Sequence, residues 1–141
     1  MKNFEVRAKK HLGQHFLNDP VSAQKIVNAV LSQSPKNVLE IGPGTGVLTD
    51  IFRESEDISF KCIELDQESV AYLMARHPEL QGNILQGDFL KLDLSQLFTD
   101  PFTIVGNFPY NISSQILFKM LEYKTQIPEL VGMFQKEMAD R

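Results

Sequence analysis

Residues 38 to 46 read Val38-Leu39-Glu40-Ile41-Gly42-Pro43-Gly44-Thr45-Gly46, a short and nearly continuous apolar run that ends in three alternating glycines. A strand buried on both faces of a sheet has this composition, because neither face meets water. The glycines let the backbone turn sharply and let a ligand approach where a Cβ would collide. Their G-x-G-x-G spacing is one residue shorter than the G-x-G-x-x-G of pyrophosphate-binding dinucleotide folds, and no lysine follows as in a P-loop. A nucleoside ligand without phosphates suits this loop better, and a plain strand-to-helix turn is the other reading of it.

Outward from that loop, strand-like and helix-like segments alternate. Upstream, Asn18-Asp19-Pro20 marks a helix start, with Asp19 as N-cap and Pro20 at the first helical position. Ala23, Ile26, Val27, Val30 and Leu31 then recur at the spacing of one helix face. Downstream, Gly46 opens a helix carrying Val47, Leu48, Ile51 and Phe52, and Ile58 to Ile63 form a second strand. Asp66 caps a helix with Val70, Leu73 and Met74, which His77-Pro78 stops. Asn83 to Gln86 and Phe102 to Val105 read as the third and fourth strands. Ser113 to Tyr123 reads as a helix with Ile116, Leu117, Met120 and Leu121 inward, and Leu130 to Gln135 as a fifth strand. Strands and helices alternating through short Gly/Pro punctuation predict an α/β fold with a parallel, doubly wound sheet.

The 141 residues, 43% hydrophobic and 23% charged, suit one globular domain and exclude collagen, low-complexity disorder and a disulfide scaffold. Cys62 has no partner cysteine, and no charged start followed by an apolar run argues for secretion. No stretch approaches the roughly 18 apolar residues of a membrane span, so a cytoplasmic protein is expected. The net charge of −4 argues against a protein that coats nucleic acid non-specifically. Yet residues 1–11 carry Lys2, Arg7, Lys9 and Lys10 against Glu5 alone. Any polyanion contact is therefore expected to begin there; a solvated, loose terminus is the plainer reading.

In such sheets ligands bind beyond the carboxyl ends of the strands. Glu64 closes the second strand at about the distance from the glycines, roughly 20 residues, at which an acid accepts ribose hydroxyl protons. Gly87-Asp88-Phe89 ends the third strand, where Asp88 can accept from an adenine exocyclic amine and Phe89 offers an apolar wall; Gly-Asp is also an ordinary turn. Gly106-Asn107-Phe108-Pro109-Tyr110 closes the fourth. An adenine amine is a poor nucleophile because its lone pair is delocalised into the ring. Two acceptors, the Asn107 side-chain oxygen and the Pro109 carbonyl, can draw that nitrogen towards tetrahedral geometry. Proline stiffens the turn, and Tyr110 can stack on the base for about 1 to 3 kcal/mol. As bare structure, Asn and Pro are turn formers and Tyr a core residue.

These residues resemble S-adenosylmethionine-dependent methyltransferases acting on amino nitrogens, with Gly42 to Gly46 as cofactor loop and Asn107-Phe108-Pro109-Tyr110 as the amino-methyltransferase tetrapeptide. His11-Leu12-Gly13-Gln14-His15-Phe16-Leu17-Asn18-Asp19, Glu40 to Gly44, Gly106 to Ser113 and Phe134-Gln135-Lys136-Glu137 extend the likeness to the ribosomal RNA adenine N6,N6-dimethyltransferases of the small subunit. The resemblance implies a doubly wound, Rossmann-like methyltransferase sheet and cofactor contacts at His15, Leu17, Gly42, Gly44, Gly46, Glu64, Asp88, Phe89 and Asn107. It implies catalytic roles for Asn107, Pro109 and Tyr110, and places Arg7, Lys9 and Lys10 beside the entrance where RNA of an immature small ribosomal subunit arrives. Residues 1–19 become a basic arm and cofactor-closing segment, and residues 20–141 a partial catalytic domain. The family's C-terminal strands and helical RNA-gripping domain are absent, so a truncated chain with an unfinished sheet edge, open to self-association, is expected. Position 15 is often Asn in the family. Position 108 is more often Leu or Ile, and the bulkier Phe108 is expected to narrow the target pocket.

The resemblance also implies in-line transfer of two methyl groups to N6 of an unpaired or flipped adenine, with catalysis by positioning and without a metal or dedicated base. His11, His15 and His77 lack clustered ligand spacing. The rivals are a large-subunit RNA dimethyltransferase, whose tetrapeptide usually follows Ser rather than Gly106, a DNA adenine methyltransferase, and a non-catalytic RNA-binding factor whose tetrapeptide would have decayed.

Overall fold

The computed structural model describes residues 20–108 and 113–134. Arg7, Lys9, Lys10, His15, Leu17 and Asp19, the tetrapeptide's Pro109 and Tyr110, and the expected helix from Lys136 lie outside the described residues. The elements run α1 (Pro20–Leu31), β1 (Asn37–Ile41), α2 (Val47–Phe52), β2 (Ser59–Glu64), α3 (Gln67–Arg76), β3 (Ile84–Gln86), β4 (Thr103–Phe108), α4 (Ser113–Glu122) and β5 (Glu129–Phe134). All strand pairs are parallel, in the order β3-β2-β1-β4-β5. The α/β sheet expected from the alternating pattern is therefore the fold.

Side chains alternate between the faces of each strand. Val38, Phe60, Cys62 and Val105 pack with Ala23, Val27 and Val30 of α1, Leu48 and Phe52 of α2, and Val70 and Leu73 of α3. Leu39, Ile41, Ile63, Ile104 and Phe108 pack on the other face with Phe89, Leu94 and Ile116. Pro20 opens α1, where its missing N–H costs nothing. Asp66 caps α3 by accepting from the Ser69 N–H at 3.1 Å, and the helix stops at His77 before Pro78.

Two expectations change. β4 does not end at Val105 but runs on through Phe108, because Gly106, Asn107 and Phe108 pair with Gly132, Met133 and Phe134 of β5; sheet pairing overrides the weak strand propensity of Gly and Asn. Of the four α4 residues expected to face inward, Ile116 is buried and Met120 partly so, while Leu117 and Leu121 are exposed. Phe108 is fully buried and lies over Gly106 and Gly132, whose missing side chains leave room for the ring. It is a core residue.

Candidate functional site

The strand ends stand level along one edge of the sheet. Ile41 pairs with Ile63 on one side and with Gly106 on the other, so Gly42 follows directly between Glu64 and Asn107. Glu64 pairs with Gln86, which puts Gly87 and Asp88 just beyond β3. The Gly42 N–H donates to the Ile63 carbonyl at 2.9 Å and the Gly87 N–H to the Glu64 carbonyl at 3.0 Å, extending the ladder into both loops. Gly42, Glu64, Asp88 and Asn107, four positions singled out by residue type, thus end four adjacent strands.

The glycine loop is held from two sides. At Gly46 φ is +89°, and a Cβ there would meet Leu73 Cδ2 at 2.7 Å, so the turn into α2 needs glycine for both conformation and close approach. Glu64 Oε1 accepts from the Gly44 N–H and Oε2 from the Asp66 N–H, both at 2.9 Å. The carboxylate latches the loop to the next helix start. Burial raises the Glu64 pKa, against the lowering effect of the Asp66 and Gly44 N–H groups. Beneath the loop, Thr49 Oγ1 donates to Glu40 Oε1 at 2.5 Å. Burial pushes the Glu40 carboxyl up to about 8; the Thr49 bond opposes this, and the nearby Glu64 and Asp50 carboxylates reinforce it. Glu40 is therefore a neutral acid at pH 7, bracing β1 against α2.

Glu40, Glu64 and Asn107 alternate onto the face covered by α1, α2 and α3, with Val38, Cys62 and Val105. Asn107 is half-buried at the end of β4. Asp88 Oδ1 accepts from the Leu90 N–H at 3.0 Å and caps the short turn Phe89–Lys91. Phe89 is buried in the opposite core, with Lys119 Nζ 5.0 Å from its ring centroid. At Gly42, φ is +66° and the space a Cβ would fill is open, which leaves room for a ligand against the backbone. The roles expected of His15, Leu17, Pro109 and Tyr110 fall outside the described residues.

Residue-by-residue reading passed over three features. Glu40 was legible in principle, since a carboxylate inside an apolar run must be neutralised or paired. Lys119 was not; a helical lysine ordinarily reads as solvated. Nor was the cluster in which Asp50 accepts from Arg76 Nε and Nη2 at 2.8 Å and lies 2.7 Å from Nε2 of the buried His77. Burial raises the Asp50 carboxyl, but Arg76 and His77 outweigh it and hold it below the ordinary value. This cluster ties α2 to the end of α3, and among the described residues no group of His, Cys, Asp and Glu is placed to hold a metal.

A sequence model of the family described as Ribosomal RNA adenine dimethylase matches residues 5–141. Ribosomal RNA small subunit methyltransferase A of Cytophaga hutchinsonii is 55% identical over 138 residues, covering 97% of the chain and 54% of that relative. Its namesake in Flavobacterium johnsoniae is 50% identical, covering 97% and 52%. Among solved structures, the 23S rRNA methyltransferase ErmE superposes with a TM-score of 0.70 at 28% identity, covering 89% of this chain and 50% of that one. A dimethyladenosine transferase from Plasmodium falciparum superposes with a TM-score of 0.67 at 31% identity, covering 90% and 46%. The chain spans about half the length of the curated relatives it matches.

Proposed function

The chain belongs to the ribosomal RNA adenine dimethylase family, and from that premise we propose that the whole protein transfers methyl groups from S-adenosylmethionine to N6 of adenines in small-subunit ribosomal RNA, giving N6,N6-dimethyladenosine during ribosome biogenesis. The observation that carries the reading is the single row of strand ends on which Asp88, Glu64, Gly42 and Asn107 stand side by side. Identity of 50 to 55% to small-subunit enzymes favours that RNA as substrate.

S-adenosylmethionine, when bound, supplies an electrophilic methyl group on a positively charged sulfur. The fit rests on the open face of Gly42 and on the loop latched by Glu64, an acceptor carboxylate at the end of β2 to which ribose hydroxyls would donate. Asp88 reads the exocyclic amine of the cofactor's adenine. Asn107 accepts one N–H of the target amine and the Pro109 carbonyl the other, freeing the nitrogen lone pair for attack. Tyr110 stacks on a base that must be unpaired or flipped. His15 and Leu17 close over the methionine end, and Arg7, Lys9 and Lys10 meet RNA phosphates. Residues 20–141 form the part of the catalytic domain present here, and the reaction takes place in the cytoplasm on an immature small subunit.

The test is methyl transfer from labelled cofactor to immature small subunits and to naked large-subunit RNA, with mass mapping of the modified base. Dimethylated adenine in small-subunit RNA is expected. Label confined to large-subunit RNA overturns the substrate assignment. Asn107→Ala in the whole protein is expected to lower transfer by about 100- to 1000-fold, the scale of losing one preorganised polar group at a reacting atom, while the thermal transition stays in place.

A further inference from the structure

Lys119 points from α4 into the protein and is 8% exposed. An ammonium taken out of water must find partners, and this one donates to two main-chain carbonyls, those of Phe89 and Leu92. Both belong to the turn Phe89–Lys91 and the residue that ends it. Asp88 holds the other end of that turn through the Leu90 N–H. Asp88, Asp93 and Glu122 are the carboxylates near Lys119, yet its hydrogen bonds go to carbonyl oxygens. A methionine would fill the same apolar length; what lysine adds is three donors.

We propose that Lys119 is a positioning residue for adenine recognition: from α4 it fixes the turn whose first residue is Asp88, and so sets where that carboxylate stands. The proposal rests on the cofactor reading above and deepens it. Because α4 follows β4 in the chain, one side chain joins the element after Asn107 to the loop that reads the cofactor's base. Without the two hydrogen bonds, the Phe89 carbonyl keeps only the Leu92 N–H, at 3.2 Å, the Leu92 carbonyl loses its lysine donor, and the Asp88 carboxylate is anchored from one side only.

The test is calorimetric titration of the full chain with S-adenosylhomocysteine and with its inosine counterpart, in which a carbonyl oxygen replaces the exocyclic amine. Wild type is expected to favour the adenosine form by about 10- to 100-fold, the scale of a hydrogen bond to a charged group. In Lys119→Met that preference is expected to shrink to about threefold or less while the chain still melts cooperatively, and Lys119→Arg is expected to recover most of it. If Lys119→Met does not melt cooperatively, Lys119→Gln, which keeps a donor for one carbonyl, carries the same comparison. An unchanged preference overturns the proposal. Equal loss of affinity for both ligands overturns it as well, because a merely structural lysine behaves that way. Wild type that binds neither ligand overturns the cofactor reading itself and the proposal with it.

Discussion

On one face of the sheet three helices, α1, α2 and α3, enclose Phe52, Phe60 and Leu73 together with the carboxyl groups of Glu40 and Glu64. On the other, α4 and short turns cover Phe89, Ile104 and Phe108 but leave Leu117, Phe118 and Leu121 in water. The polar groups differ in kind as well. The first face buries acids, raised by desolvation and held by a hydroxyl or by N–H groups. The second takes in amines, Lys61 donating to the Leu97 carbonyl and Lys119 to those of Phe89 and Leu92. Acids that stay buried without a cation beside them need full cover, whereas a lysine reaches its carbonyl on a long stem from a half-open surface.

The contrast breaks most readily at Phe52, which stacks on Phe60 with centroids 5.4 Å apart and is fully buried. Phe52→Ala is expected to cost about 3 to 5 kcal/mol of stability, read by urea denaturation. Next, Glu64→Ala is expected to weaken S-adenosylhomocysteine binding by about 1.5 to 3 kcal/mol, because both the proposed ribose acceptor and the Gly44 latch are lost; equal calorimetric affinity would remove Glu64 from the site. Glu40 sharpens the comparison through pH. Its carboxyl rises from 4.5 to about 8 on folding, so the folded chain keeps a proton that the unfolded chain has already released. Stability therefore falls as pH rises from about 5 to about 8 and levels off above that. Glu40→Gln keeps an acceptor for Thr49 and is expected to be more stable than wild type at pH 8, with little difference at pH 4. Denaturation midpoints at the two pH values decide it. The smallest effect belongs to the second face: Leu121→Gln, at an exposed position of α4, is expected to change stability by no more than about 0.5 kcal/mol. A loss as large as that of Phe52→Ala would show that α4 is covered in solution.

How far each feature could be read from residues alone follows from how local its cause is. Val38 to Ile41 announces a buried strand because burial on both faces removes alternation, and Asp66 announces a cap because its partner, Ser69, is three residues away. The end of β4 was set by a partner 26 residues on, Gly132 opposite Gly106, and no local rule contains it. Leu117 and Leu121 fit the helical period of Ile116 and Met120, but periodicity says which residues share a face and not how wide a strip the sheet covers. That Gly42, Glu64, Asp88 and Asn107 stand together was legible because each is an unusual residue at a strand end. Lys119 was hidden because its partners are main-chain atoms, which every residue possesses.

Cys62 is the one cysteine in the chain, with no exposed surface and a thiol held protonated by burial and by the acids of Glu40 and Glu64. An alkylating reagent reaches its sulfur only when the middle of the sheet comes apart. The labelling rate of the untouched molecule thus counts its openings, and a reporter dye can be placed at a newly introduced surface thiol without first engineering the native one away.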